Sequence, residues 1–144
     1  MIVIACLDDA GGMMFNNRRQ SKDRILRDYI LEYIGSSKLW MNAYTKKQFV
    51  DCEQENIVVD EQFLEKAEEG EFCFIENVDI TPYMEKIENL ILFKWNRSYP
   101  GDFFFPLELL ESEWIMTETE DFVGYSHEKI TKEEYEHGEK KQEQ

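Results

Sequence analysis

Five basic side chains lie close to one acid near the start of the chain, and these residue types could bind an anion or move a proton. The acid is Asp23, and the bases lie in the turn and helix start around it: Arg18, Arg19, Lys22, Arg24 and Arg27. Such a cluster next to helix N–H groups favours ligands that carry a phosphate or a carboxylate. The alternative is a solvated face that balances acids elsewhere in the fold.

Asp23 itself has two interpretations. A carboxylate in an enclosed site with a shifted pKa can promote proton transfer to a substrate. The same residue lies in the first turn of a predicted helix, where the helix dipole favours an acid in any case. Sequence position alone leaves both interpretations open.

Other chemistry-bearing residues give weaker signals. Ser126 precedes His127, and Cys6 lies in the first predicted strand, but neither suggested Ser/His or Cys/His pair has the spacing of a known nucleophilic motif. Cys6 is expected to be a small apolar core residue. The chain has only two histidines, too few for a multi-histidine metal cluster, so no metal ligand is assigned.

The overall charge limits the classes of partner. Lys and Arg total 16 against 31 Asp and Glu in 144 residues, a formal charge of −15, which argues against binding to nucleic acid or anionic membranes. Three distant cysteines without a CxxC pair predict no disulfide framework and fit a reducing compartment. The first apolar run ends at Asp8, too soon for a signal peptide, so a cytoplasmic location is expected.

Apolar runs alternate with helical spacing through the first two thirds of the chain. The clearest helix has apolar residues from Ile25 to Ile34, with Ser21 as the expected N-cap and Gly35 as the C-terminal stop. Strands are predicted at 2–7, 38–41, 56–59, 72–75 and 90–95, and short helices after Asp60 and Thr81. This alternation predicts a single α/β domain with a central mixed, mainly parallel sheet flanked by helices.

The end of the chain has a different pattern. A late strand is predicted from Trp114, and a further one at 126–130. From Lys132 onward the sequence is polar and acidic, which predicts a domain over 1–131 and a solvated tail over 132–144.

Several segments, in order, resemble dihydrofolate reductases. The first runs from Ile4-Ala5 through Gly11-Gly12-Met13 to Asp23, and the second is Leu39-Trp40-Met41-Asn42-Ala43-Tyr44-Thr45. The third runs from Leu90-Ile91-Leu92 to Asp102-Phe103-Phe104-Phe105-Pro106, followed by Glu113-Trp114. The resemblance implies the fold of that family, with Asp23 as the acid that binds a pterin and promotes its protonation.

The resemblance also implies which residues surround the ligands. The candidate ligand contacts are Ala5, Arg18, Arg19, Arg27, Trp40 and Phe93, and the positions facing a nicotinamide cofactor are Thr45, Glu76 and Asn77. The family has paired glycines where this chain has Glu76-Asn77, and a carboxylate there repels a pyrophosphate. Asn42-Ala43 replaces a glycine and a basic residue of the family, and the stretch between Thr45 and Val58 is too short for the adenosine-binding strand and loop.

Three functional hypotheses follow from these matches and departures. The first is a divergent, non-reducing protein with a degraded NADPH site that binds a small anionic or heterocyclic, pterin-like ligand. The second is an active NADPH-dependent reductase of dihydrofolate or a related pterin that uses Asp23. The third is a protein-interaction module that uses its acidic surface and C-terminal tail. The sequence indicates neither the ligand nor the oligomeric state.

Overall fold

The first strand is the centre of the fold, because its apolar side chains are buried on both faces of a sheet. The computed structural model describes residues 1–52 and 54–138. The main sheet has seven strands in the order β5-β4-β6-β1-β7-β10-β9. The strands of this sheet are β1 (Ile2–Leu7), β4 (Leu39–Met41), β5 (Ile57–Val59), β6 (Phe72–Phe74), β7 (Asn89–Lys94), β9 (Trp114–Phe122) and β10 (Ile130–His137).

Strand pairing agrees with the predicted mixed, mainly parallel sheet. β5, β4, β6, β1 and β7 pair in parallel with their neighbours, whereas β10 is antiparallel to both β7 and β9. Alternate residues of β1 point to opposite faces, so Val3 and Ala5 join one hydrophobic core and Ile4 joins the other. One α/β domain therefore accounts for the described residues.

Helix α1 (Arg24–Ile34) covers the core that contains Ile4. Its buried residues Leu26, Ile30 and Ile34 recur every four positions, and Gly35 ends the helix with a φ of 58°. The predicted N-cap, Ser21, is wrong. Asp23 caps the helix instead, since its side chain accepts hydrogen bonds from the first-turn N–H groups.

The remaining helices are short. They are α2 (Ala43–Lys46), α3 (Phe63–Lys66) and the 3₁₀ segments Lys47–Phe49, Thr81–Lys86 and Leu107–Glu111. Thr81 is the first residue of its 3₁₀ segment, and the Asp79 carboxylate accepts from the N–H of Thr81 at 2.9 Å. None of the helices in the described residues is long and apolar enough to span a bilayer.

A second, three-stranded sheet was not predicted. It contains β2 (Gly12–Phe15), β3 (Arg18–Arg19) and β8 (Phe103–Phe104) in the order β3-β2-β8. Asn16 and Asn17 form the tight turn between β2 and β3, with positive φ angles of 51° and 62°. The strands are too short to produce a hydrophobic periodicity in the sequence. In addition, the Gly11-Gly12 pair at the start of β2 is typical of a turn.

The predicted tail is wrong for residues 132–137, which form most of β10. This strand lies between β7 and β9, and its residues Lys132 and Tyr135 are buried. Residues 139–144 of the predicted tail lie outside the described part. The predicted strand at 126–130 is wrong as well, since only Ile130 belongs to a strand.

Candidate functional site

Asp23 is surrounded by hydrogen-bond donors of the protein itself. Its Oδ1 accepts from the N–H groups of Ile25, Leu26 and Tyr125 at 2.9, 3.2 and 2.9 Å. Its Oδ2 accepts from the Ser126 N–H at 2.9 Å and from the Ser126 hydroxyl at 3.3 Å, and lies 2.8 Å from Nδ1 of His127. The carboxylate therefore ties the start of α1 to the loop between β9 and β10.

The environment of Asp23 favours its ionised form. Burial alone would raise the pKa of this carboxyl, but the hydrogen bonds from Tyr125, His127, Ser126 and Leu26 lower the pKa well below its ordinary value. The side chain has no exposed surface. Asp23 is thus a fixed anion whose acceptor positions are already filled by the fold.

His127 connects this carboxylate to two hydroxyl groups. Its Nε2 lies 2.9 Å from Oγ of Ser21 and 3.2 Å from the hydroxyl oxygen of Tyr99. The imidazole stacks on Trp95, with ring centroids 4.4 Å apart. Its position at the end of β7 and beside α1 is therefore held by packing as well as by polar contacts.

The cleft between α1 and the sheet, which we call the closed cleft, is almost filled by side chains. The space left in it is about 10 Å³, enough for at most one water molecule. Its lining residues are Cys6, Ser21, Asp23, Leu26, Arg27, Ile30, Gln48, Phe74, Glu76 and Trp95. Burial raises the pKa of the Cys6 thiol, with further increases from Glu76 and Asp23, so Cys6 is poorly suited to be a nucleophile.

An open cavity of about 400 Å³ lies beside the start of α1, and we call it the cationic cavity. Its lining residues are Lys22, Asp23, Arg24, Arg27, Lys47, Gln48, Val50, Asp51, Tyr125 and Ser126. The Arg24 guanidinium lies over the Tyr125 ring at 4.3 Å, and Nη1 of Arg27 donates to the Gln48 carbonyl at 3.2 Å. The cavity combines fixed positive charge with an aromatic wall.

The predicted cluster of five bases is divided between two places. Lys22, Arg24 and Arg27 line the cationic cavity, whereas Arg18 and Arg19 line a separate cavity of about 470 Å³ with Tyr99 and other residues. Arg19 is engaged by Glu76, since its Nε and Nη2 donate to the two carboxylate oxygens at 2.8 and 3.1 Å. Burial lowers the pKa of Arg19, but the bond to Glu76 raises it above its ordinary value overall.

Two of the residues predicted to face a cofactor, Thr45 and Asn77, are both bound to Asn42. Nδ2 of Asn42 donates to Oδ1 of Asn77 at 2.8 Å, and Oδ1 of Asn42 accepts from the Thr45 N–H at 3.0 Å. Thr45 is fully buried, and its hydroxyl oxygen has no hydrogen-bond partner within residues 1–52 and 54–138. Asn77 lines a further cavity of about 360 Å³ with Asn17.

Three predicted ligand contacts belong to the cores. Ala5 and Phe93 are buried, and Phe93 makes edge contacts with Tyr29 and Phe122. Nε1 of Trp40 donates to Glu71 at 3.0 Å. None of the three lines any of the four cavities described above, so their role as ligand contacts stays a prediction.

The sequence did not single out Lys47, Tyr99 or Tyr125, and it paired His127 with Ser126 instead of Ser21. No local spacing signals these contacts, because Ser21 and His127 are 106 positions apart. Within residues 1–52 and 54–138, no group of three His, Cys, Asp or Glu side chains is placed to hold a metal ion.

Comparison with known proteins identifies the fold. No family model and no curated protein matches the chain. Among solved structures it is similar to a dihydrofolate reductase from Enterococcus faecalis, determined in complex with NADP(H) and RAB-propyl, with 14% identity, 95% of each chain covered and a TM-score of 0.67. The chain therefore has the dihydrofolate reductase fold, which confirms the fold that the short sequence matches implied.

Proposed function

We propose that this protein uses a dihydrofolate reductase fold to bind a small anionic ligand in the cationic cavity, without the reduction for which that family is named. The observation behind the proposal is the charge around this cavity. Four cationic side chains line it in a chain with a formal charge of −15: Lys22, Arg24, Arg27 and Lys47. We place this binding in the cytoplasm, in line with cysteines that are all free.

The acids near this cavity do not cancel its charge. Among the described residues, two acids, Asp23 and Asp51, line the cavity against four cationic side chains, and the Asp28 carboxylate lies 3.8 Å from Nε of Arg27. A volume of about 400 Å³ is within the usual range for small-molecule sites. A ligand with one or two carboxylates or a phosphate, and an aromatic or heterocyclic group against Tyr125, fits this combination.

The residues at the expected cofactor site do not fit a dinucleotide. In the family, paired glycines after the central strand bring backbone N–H groups close to the pyrophosphate at a helix N-terminus. Here Glu76 follows β6 and is bound to Arg19, and the next helical segment is the 3₁₀ turn at Thr81–Lys86. The Thr81 N–H already donates to the Asp79 carboxylate, so this N–H is not available to bind an anion. In the turn after Met41, only Thr45 matches the family.

The folate side supports the same conclusion. The donors around Asp23 leave this carboxylate with little capacity for a pterin, and the space beside it is about 10 Å³. Dihydrofolate reduction by this chain needs the closed cleft to open and Arg19 to leave Glu76.

The hypothesis of an interaction module that acts through a free tail has little support, because residues 132–137 lie within the sheet.

Isothermal titration calorimetry tests the proposal with three probes: citrate, dihydrofolate and NADPH. We expect citrate or dihydrofolate to bind, and an Arg24→Gln, Lys47→Gln double variant to weaken binding at least about 10-fold, as expected when charged hydrogen bonds are lost. Lys38→Gln is the matched control, because Lys38 lies at the other end of α1 and is mostly exposed.

Two results would contradict the proposal. The first is that neither citrate nor dihydrofolate binds, or that the double variant and the Lys38 control bind these probes equally well. The second is micromolar binding of NADPH together with its oxidation in the presence of dihydrofolate. In that case the reductase hypothesis applies, and Asp23→Asn should then abolish turnover.

A further inference from the structure

Ser21, His127 and Asp23 form an ordered series of polar contacts at the entrance of the closed cleft. Oγ of Ser21 lies 2.9 Å from Nε2 of His127, and Nδ1 of the same ring lies 2.8 Å from Oδ2 of Asp23. Asp23 and His127 are buried, whereas Ser21 is partly exposed. This is the order and spacing of a nucleophile, a base and the acid that orients the base.

The donor nitrogen of the imidazole follows from its partner at Nδ1. An ionised carboxylate only accepts hydrogen bonds, and the environment lowers the pKa of Asp23, so Nδ1 of His127 donates to Asp23. In the neutral ring, Nε2 then carries the lone pair and accepts a hydroxyl proton. Stacking on Trp95 keeps the ring in this orientation.

Two neighbouring hydroxyl groups have different relations to this ring. The Tyr99 hydroxyl is 3.2 Å from Nε2 and competes with Ser21 for the lone pair. The Ser126 hydroxyl lies at the opposite nitrogen, 3.3 Å from Nδ1 and 3.3 Å from Oδ2 of Asp23. The contact of Ser21 to Nε2 is shorter than that of Tyr99, so Ser21 is better placed than Tyr99 to lose its proton to this base.

A donor for a developing negative charge is present in the same cleft. Nε of Arg27 is buried and has no hydrogen-bond partner among the described residues, although the Asp28 carboxylate lies 3.8 Å away. Arg27 and Ser21 both line the closed cleft. A buried N–H without an acceptor is costly in a folded protein, so this N–H is a candidate donor to negative charge that develops in the cleft.

We propose that Ser21 is a nucleophile activated by His127 and Asp23, acting on small esters that carry a carboxylate. Oγ of Ser21 bonds to the ester carbonyl carbon while its proton passes to Nε2 of His127. The bond to the leaving alcohol then breaks, and the alcohol takes that proton. Water, with the same base, hydrolyses the acyl-serine and releases the acid, which restores Ser21.

The choice of an anionic ester rests on the anion site proposed above, whereas the nucleophile does not depend on it. Lys22 and Ser126, which lie beside Ser21 and His127 in sequence, line the cationic cavity. A carboxylate held there would place the ester group near the exposed side of Ser21.

Labelling with a fluorophosphonate probe, followed by peptide mass spectrometry, tests the nucleophile. We expect an adduct on Ser21 that is absent in Ser21→Ala and unchanged in Ser37→Ala, an exposed serine at the far end of α1. His127→Asn retains a donor toward Asp23 but has no base, so labelling should slow about 100-fold or more. Tyr99→Phe removes the competing hydroxyl, so labelling should be as fast as in the wild type or faster.

Absence of an adduct on Ser21, or an adduct whose rate does not depend on His127, would overturn the nucleophile. Circular dichroism shows whether His127→Asn folds. If it does not fold, Tyr99→Phe replaces it as the test, because a more than 10-fold loss of labelling in Tyr99→Phe would show that Ser21 does not depend on the free lone pair of Nε2.

Hydrolysis assays separate the nucleophile from the anion site. We expect mono-4-nitrophenyl succinate to be hydrolysed with a kcat/KM at least about 10-fold above that of 4-nitrophenyl acetate, and both activities to vanish in Ser21→Ala. Arg24→Gln with Lys47→Gln should remove only the preference for the anionic ester. Hydrolysis that depends on Ser21 but shows no such preference supports the nucleophile and overturns the proposed ester class, whereas the titrations with citrate and dihydrofolate decide the anion site.

Discussion

Two ionised side chains are buried against the same helix, and the protein stabilises them in opposite ways. Asp23, at the start of α1, is held by N–H donors of its own helix and of the loop before β10. The ammonium of Lys132, on β10, lies over the rings of Tyr29 and Tyr33, at 5.7 and 4.3 Å from their centroids. It also lies 3.6 and 3.5 Å from the carboxylates of Glu118 and Glu134.

The difference lies in how far each environment can adapt. Backbone N–H groups cannot move away from Asp23 without breaking the helix cap or the loop, so removal of this carboxylate leaves several buried donors unpaired. Around Lys132, Glu118 is about half exposed and can turn toward water, and the aromatic rings need no cation. Asp23 is therefore the less replaceable of the two.

The largest expected effect is that of Asp23→Ala. This change removes the N-cap and leaves His127 and the N–H groups of Tyr125 and Ser126 without their acceptor. We expect a loss of about 3–5 kcal/mol in the free energy of unfolding, measured by urea denaturation at neutral pH. A loss below about 1 kcal/mol would show that the loop before β10 does not depend on Asp23.

The pH dependence of stability separates the Asp23 charge from its shape. The pKa of Asp23 is lower in the folded than in the unfolded state, so the carboxylate stabilises the fold above the unfolded value, about 3.9. That contribution is lost as pH falls through the unfolded value toward the folded one. Asp23→Asn should therefore be less stable than the wild type at neutral pH, and the difference should shrink in acid.

A smaller effect is expected for Lys132→Met, at about 1–2 kcal/mol, because Glu134 keeps a hydrogen bond from the Tyr33 hydroxyl. Burial alone would lower the pKa of Lys132, but Glu134, Tyr29 and Glu118 raise it overall. The charged lysine therefore stabilises the fold below its unfolded pKa, and this contribution is lost as pH rises through the folded value. The wild type and the variant should converge in alkali, not in acid. A difference between them that stays constant up to high pH would contradict this assignment.

These two sites also show which parts of the fold the sequence reveals. Helix α1 was predictable because the spacing of its apolar residues and Gly35 are local signals. β10 was missed because Lys132 makes the segment look solvated. The rings that cover Lys132 come from α1, about a hundred residues earlier, and no local pattern indicates them.

The sequence singled out some residues that line the cavities but none of their long-range contacts. Asp23, Arg27 and Glu76 line the cationic cavity or the closed cleft, and Arg19 lines a separate cavity, while their functional roles stay predictions. The Asp23–His127 pair joins positions 104 apart. Only the folded chain shows that Asp23 already accepts hydrogen bonds from the protein and that Arg19 binds Glu76.

The smallest expected effect distinguishes the ring of Tyr33 from its hydroxyl. Tyr33→Phe keeps the aromatic face over Lys132 and removes only the bond to Glu134, which lies near the surface. We expect a loss of roughly 0.5–1 kcal/mol at neutral pH, since an exposed hydrogen bond has a small net effect. Tyr33→Leu also removes the aromatic face, and should cost roughly 0.5–1 kcal/mol more if the ring stabilises the ammonium. Equal urea midpoints for the two variants would show that the Tyr33 ring does not stabilise the ammonium of Lys132. Lys132 would then depend mainly on its polar partners, as Asp23 does.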